Sequence, residues 1–292
     1  MKLSILIPSK DESYLNTTLE DILRKATGDI EIIVHLEGAS PEEVKDPRIK
    51  YVYSKDLKGM RAGVNIGLAL AKGDYLMKCD AHCLFAEGFD ETILKDFEDN
   101  WLVIPRRYSL YADGWKRDMR FPPKDYHYLS FPVPSRSYGL SIFPQEWRER
   151  RIDRAEYMID DTMTFQGSCW IAKRDYFMNH VGFLDDRPEA YTQFAGEPLE
   201  IGLKYWLGGG EVKVNKNTWY SHLFKNKNFY KNVAKPGAKR FKIEKKTAGG
   251  HSYGARHWMR NEEPNMIHPF SWLIEKFWPV PGWSEDRNLW TI

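Results

Sequence analysis

Cysteine is scarce in this 292-residue chain, and long apolar runs are missing altogether. The three cysteines, Cys79, Cys83 and Cys169, are odd in number and form no repeated Cys-x-x-Cys pair. That excludes a disulfide framework and suits a reducing compartment. No apolar stretch nears the roughly 20 residues that a membrane span needs. Met1-Lys2 runs straight into Leu3–Ile7 and then Pro8 and charges, which reads as a first strand and not a signal peptide. No Gly-x-Gly-x-x-Gly follows that strand, which disfavours an NAD(P) enzyme, and no internal repeat is evident. A soluble, cytoplasmic protein is expected, in the host cytoplasm if the source is viral.

What is present points to a globular enzyme-sized chain. It is 42% hydrophobic and 29% charged, too apolar for disorder and long enough for a substantial core. The net charge is only +2, but its distribution is uneven. Between Lys225 and Arg260 stand eleven Lys/Arg against the single acid Glu244, leaving the rest of the chain net acidic. Such a segment suits a polyanionic partner (a nucleotide diphosphate, nucleic acid or an anionic surface) or is simply a solvated lysine-rich loop.

Apolar periodicity predicts strands at Leu3–Ile7, Ile30–Leu36, Ile49–Tyr53 and Asp74–Lys78. Between them, helices are expected with Leu15, Leu19, Ile22 and Leu23 on one face, closed by Gly28, and over Met60–Lys72. This alternation argues an α/β fold with a parallel, doubly wound sheet. A helix over Gly88–Asp99 and a strand over Trp101–Pro105 continue it. From Arg106 to Asp161 periodicity gives way to Pro, Tyr, Arg and Trp, read as long loops that carry specificity. Strand character returns over Thr164–Ala172. Glu197-Pro198-Leu199-Glu200 opens a helix to Leu207, with Pro and acids where a first turn favours them. Glu211–Val214 is a last strand.

One stretch carries chemistry. The apolar run Tyr75–Cys79 ends in Asp80-Ala81-His82. Side chains at the carboxyl ends of parallel strands face a crevice, and residues two apart on an extended chain project to one side. A carboxylate and an imidazole there make a partial site for a borderline divalent ion such as Mn²⁺. On its own the segment serves equally as a strand-end cap.

Four motifs in order over residues 3–225 resemble the GT-A-fold glycosyltransferases of the family 2 type, and within them the catalytic domain of polypeptide N-acetylgalactosaminyltransferases. Ser4-Ile5-Leu6-Ile7-Pro8-Ser9-Lys10-Asp11-Glu12 is similar to their opening strand, and Asp80-Ala81-His82 to the D-x-H form of the donor motif. Phe194-Ala195-Gly196-Glu197-Pro198-Leu199-Glu200 resembles W-G-G-E-N-x-E, and Ser221-His222-Leu223-Phe224-Lys225 resembles G-H-(I/V)-F-R. The resemblance implies a Rossmann-like, mainly parallel sheet flanked by helices, with a loop-rich acceptor region. It implies a catalytic domain over 1–225, followed over 226–292 by a basic, aromatic extension packed on it.

It also implies roles. Asp80, His82 and His222 would hold Mn²⁺, or Mg²⁺, against the diphosphate of a UDP-sugar. Arg61 and Lys225 would meet the donor phosphates, with lysine keeping the charge but losing the bidentate fork. Glu37 would accept from the nucleoside, Pro8 and Ser9 would lie near its base, and Trp170 with Gln166 would border the sugar. Glu197 is the candidate for chemistry: a general base in inverting relatives, a sugar and acceptor contact in retaining ones. Retention is slightly favoured because D-x-H and the late histidine match that subgroup. Glu200 is either a helix-start acid or a partner of the site, and Asp160-Asp161 either pair with Arg150-Arg151 or face the acceptor.

For the acceptor hydroxyl, the basic segment with Phe229, Tyr230, Phe241, Tyr253, His257 and Trp258 interleaved suggests DNA carrying hydroxymethylated pyrimidines. Cell-surface glycan, lipid-linked precursor and protein Ser/Thr are the alternatives. A non-catalytic nucleotide-sugar or nucleic-acid binding module is the other class. The Trp-rich end (Trp272, Trp278, Trp283, Trp290) is expected in the core or at an interface.

Overall fold

Leu3, Ile5 and Ile7 point to one side of the first strand and Leu6 to the other, and each side meets its own core. Both faces of the sheet are therefore covered, which is why its strands read as unbroken apolar runs. This is a computed structural model, and it describes all residues except 39–41, 57, 136–138, 192–195 and 226–245.

The main sheet includes β1 (Lys2–Lys10), β2 (Asp29–Glu37), β3 (Ile49–Ser54), β4 (Tyr75–Cys79), β5 (Cys83–Phe85), β6 (Trp101–Tyr111), β7 (Ile159–Asp161), β8 (Cys169–Lys173) and β9 (Glu211–His222), with the short strand Lys116–Arg117 paired to β6. Their order is β7-β9-β6-β8-β4-β1-β2-β3, with β5 on β9. The contacts β4-β1-β2-β3 and β6-β9 are parallel, and β8 runs antiparallel between β4 and β6. The chain lays β2 and β3 on one side of β1 and β4 on the other. The carboxyl ends of β1 and β4 thus flank a switch point, where open α/β sheets bind ligands.

Helices cover the two faces. In α1 (Leu15–Lys25), Leu15, Leu19 and Ile22 are fully buried at helical spacing, and Arg24 and Lys25 suit the negative end of the dipole. It ends before Gly28, because Ala26 already has extended backbone. The helix expected over 60–72 is α2 (Met60–Leu70), and the one expected over 88–99 contracts to α3 (Phe89–Leu94). Further on come α4 (Arg148–Asp153), α5 (Arg174–His180), α6 (Glu197–Leu207), α7 (Lys246–Met259) and α8 (Phe270–Lys276). The strand expected over Thr164–Ala172 begins only at Cys169, because Gln166–Ser168 form a turn closed by Ser168 N–H on the Gln166 carbonyl (2.9 Å). Conversely β9 runs on to His222, well past Val214. Trp258, Phe277, Trp283 and Trp290 share one core with Leu6 and Trp170, so the aromatic end packs inward.

Candidate active site

At the switch point, Asp80 leaves the end of β4, His82 follows in the turn to β5, and His222 ends β9. The pairing of His222 with Cys83 across β9 and β5 is what brings a residue 140 positions away beside His82. One ligand atom from each of Asp80, His82 and His222 lies within 4.8 Å of the others. His222 Nε2 stands 3.1 Å from Asp80 Oδ2 and 3.1 Å from His82 Nε2.

The partners of these groups fix their orientation. Glu12, in the turn after β1, takes the hydrogen bond of His82 Nδ1 at 2.9 Å, so His82 presents the lone pair of Nε2 inward. Lys225 Nζ donates to the same Glu12 carboxylate. Burial pushes Glu12 up, but His82 and Lys225 outweigh it and hold the carboxyl at about 2. Burial likewise works against the charge of Asp80, and Lys78 with the two histidines holds it well below the usual range. For His222, burial prevails over the hydrogen bond to Asp80, and its imidazole drops to about 4. His222 is therefore neutral at physiological pH, as a metal ligand must be.

Whether these residues fit a metal is decided by their lone pairs. Two imidazole nitrogens at 3.1 Å share the space in front of one carboxylate oxygen. A mixed nitrogen and oxygen set of this kind suits a borderline divalent ion. The set fits.

Beneath it lies a second layer. Lys78, on the same face of β4 as Asp80, donates to Asp80 Oδ1 (2.8 Å), the Gly167 carbonyl (2.5 Å) and Glu197 Oε2 (3.3 Å). Glu197 Oε1 accepts from Trp170 Nε1 at 2.6 Å. Glu197 is buried at the first residue of α6, preceded by Gly196 at φ 72°. A Cβ on Gly196 would fall 2.2 Å from the Tyr191 ring, and one on Gly167 would fall 2.8 Å from Glu197 Oε2. Both glycines are needed for that close approach.

Several of the expected site residues have partners within the chain. Arg61 is fully buried; its guanidinium meets Glu200 and the Asp185 carbonyl and lies 4.6 Å from the centre of the Tyr191 ring. Glu37 Oε1 accepts the Lys58 and Gly59 amides (2.9 and 2.8 Å) in the turn that leads into α2. Trp170 is fully buried, stacked on Phe177 and in contact with Glu197. Pro8 and Ser9 lie near the end of β1, on the switch-point edge. Glu200 is the partner of Arg61, Asp160 pairs chiefly with Arg154 (2.8 Å), and Asp161 pairs with Lys213 (2.6 Å).

Three contributors escaped the sequence. Glu12 and Lys78 each carried a signal, a charge at a strand end and a lysine inside a buried run. Arg107 did not. It is buried on β6, donates to Gln166 Oε1 (3.2 Å) and His127 Nε2 (3.0 Å), and lies 5.2 Å from the centre of the Phe224 ring. Burial pushes its pKa down, and that of His127 falls well down through burial and then through Arg107 itself.

Residues 4–180 match the family described as Glycosyl transferase family 2. The chain belongs to that family. Among curated proteins, this family 2 chain is 27% identical over 181 residues to mouse polypeptide N-acetylgalactosaminyltransferase 3, covering 61% of this chain and 28% of that one. It is 24% identical over 220 residues to human polypeptide N-acetylgalactosaminyltransferase 6, covering 74% and 34%. The chain thus spans about a third of the length of the curated relatives it matches. Among solved structures, GalNAc-T7 with UDP, GalNAc and Mn²⁺ superposes with a TM-score of 0.60 at 18% identity, over 77% of this chain and 44% of that one. Staphylococcus aureus TarS 1-349 in complex with UDP-GlcNAc superposes with a TM-score of 0.51 at 13% identity, over 80% and 62%. The expected α/β fold of the GT-A type is the one observed.

Proposed function

We propose that this family 2 chain moves a sugar from a UDP-sugar to an acceptor hydroxyl, using a divalent cation held by Asp80, His82 and His222. The observation that carries this is the convergence of those three side chains at the carboxyl edge of the sheet. Mn²⁺ is the favoured ion and Mg²⁺ the alternative; the GalNAc-T7 neighbour was solved with UDP, GalNAc and Mn²⁺. Bound there, the ion supplies positive charge to the departing diphosphate. Lys225, tethered by Glu12 at the same edge, adds a second positive charge facing the leaving group.

The names of the curated relatives favour an N-acetylhexosamine, ahead of a plain hexose, and a polypeptide Ser/Thr hydroxyl as acceptor. Hydroxymethylated DNA loses its support. Of the aromatics that suggested base stacking, Trp258 is fully buried and donates to Tyr191 Oη (2.7 Å), and His257 is tied to Glu263 (2.7 Å). Phe229, Tyr230 and Phe241 lie outside the described residues. A retaining outcome is slightly favoured, because Asp80-Ala81-His82 and the late His222 resemble the motifs of the retaining polypeptide enzymes.

The test is UDP release by purified protein with Mn²⁺, a panel of UDP-sugars, and three acceptor arms: Ser/Thr peptides, hydroxymethylcytosine duplex DNA and none. Metal-dependent release stimulated by peptide is expected. Stimulation by the DNA alone would restore that acceptor, and no release from any UDP-sugar would leave a binding module.

A further inference from the structure

We propose that Lys78 is a positioning residue that holds one oxygen of Asp80 away from the cation and anchors Glu197 in the layer beneath it. This rests on the cation reading given above. The side chain of Lys78 is 2% exposed and that of Glu197 3% exposed, whereas Asp80 is 25% exposed. A lysine in such a slot is held by its partners, and here all three are acceptors: Asp80 Oδ1, Glu197 Oε2 and the Gly167 carbonyl.

The division of oxygens is the point. Oδ1 of Asp80 faces Lys78 at 2.8 Å, while Oδ2 faces His222 at 3.1 Å. Only Oδ2 is presented beside the two imidazoles, so Asp80 offers the ion one oxygen. Lys78 also competes with the ion for the carboxylate's charge, since both are cations addressing the same group. On the other side the ammonium holds Glu197 Oε2 while Trp170 holds Oε1. One ammonium thus couples the metal ligand to the start of α6, where Gly167 leaves room for the carboxylate.

A lysine that merely filled a core slot would, when lost, weaken every property of the site together. The positioning role predicts opposite changes. In Lys78→Met, the dissociation constant for Mn²⁺, read from the electron paramagnetic resonance signal of free Mn²⁺, should fall about tenfold because the competing charge is gone. The turnover number for UDP release should fall by at least about tenfold, since Asp80 and Glu197 lose their common anchor. Because the single variant leaves Glu197 with an unpaired buried charge, Lys78→Met/Glu197→Gln is measured beside it; circular dichroism confirms folding of each. The double variant keeps the tightening, since Asp80 Oδ1 is still released. Folded variants that bind Mn²⁺ no more tightly than the wild type overturn the role of Lys78 alone. A wild type that leaves Mn²⁺ free overturns the cation reading and the role of Lys78 with it.

Discussion

Two clusters of buried charge meet α6, and they differ in whether the chain completes them. Around Arg61, every hydrogen-bonding oxygen has a partner: Glu200 Oε1 accepts from the Asp185 amide (3.1 Å) and Lys204 Nζ (3.0 Å), Oε2 meets Arg61, and Tyr191 lies against the guanidinium. Around Asp80, two imidazole nitrogens face each other at 3.1 Å in front of one carboxylate oxygen, and His82 and Asp80 stay partly exposed. Both clusters place ions out of water, which costs several kcal/mol per ion unless geometry compensates. The first is closed by the chain itself and is structural. The second is left open towards the crevice, and that openness marks it for a ligand.

The largest expected effect tests the closed cluster. Glu200→Ala takes from the buried Arg61 guanidinium the carboxylate it meets, and should cost about 3–5 kcal/mol in urea unfolding. Asp80→Asn, in the open cluster, should cost less, because its side chain is partly exposed, the amide oxygen can still accept from Lys78, and Lys78 keeps Glu197 as a counter-ion. Equal losses at the two sites would erase the distinction.

Next comes the chemistry of the open cluster. Asp80→Ala removes the oxygen that faces both histidines and should lower the turnover number for UDP release about 10²–10³-fold, the scale of losing a preorganised charge at a developing anion. The fold should persist by circular dichroism. Full turnover in this variant would sink the metal-centred reading.

How much of this was legible in the sequence follows from what each motif depends on. Asp80 and His82 lie on one local stretch and could be read from the residues, whereas His222 joined them only through the resemblance of Ser221–Lys225 to a family motif. Trp170, Glu37 and Arg61 depend on pairings that no local pattern states. Trp170 lies opposite Lys78 in the β8–β4 register, so the two share a face and both look towards Glu197. Nothing in Gln166-Gly167-Ser168-Cys169-Trp170 announces a neighbour some ninety residues earlier. Glu37 holds the turn into α2 because Gly59, at φ 87°, turns its amide back towards the end of β2. Arg61 belongs to α2, but its acid comes from α6, and only the tertiary fold decides that the pair is buried.

Glu12 gives a smaller effect with a sharper meaning. Its carboxylate orients His82 without facing the ion, so Glu12→Gln should weaken Mn²⁺ binding about 10–100-fold, as loss of a partner behind a ligating histidine does. Equilibrium dialysis against Mn²⁺ reads this directly. An unchanged affinity would mean that the β9–β5 packing alone holds the imidazole.

The smallest effect returns to the closed cluster and asks how redundant it is. Lys204 contacts Glu200 Oε1 at 3.0 Å and the Val181 carbonyl at 3.1 Å, one turn along α6 from the acid it serves. Lys204→Met keeps the aliphatic stem and removes the ammonium. Glu200 Oε1 retains the Asp185 amide and Oε2 retains Arg61, so no carboxylate oxygen is orphaned. The loss should be about 1 kcal/mol in urea unfolding, that of one net hydrogen bond, with Mn²⁺ binding unmoved. A loss as large as that of Glu200→Ala would show that Lys204, and not Arg61, neutralises the acid. The cluster would then be a chain of single contacts, each indispensable, and closure would no longer separate it from the open site.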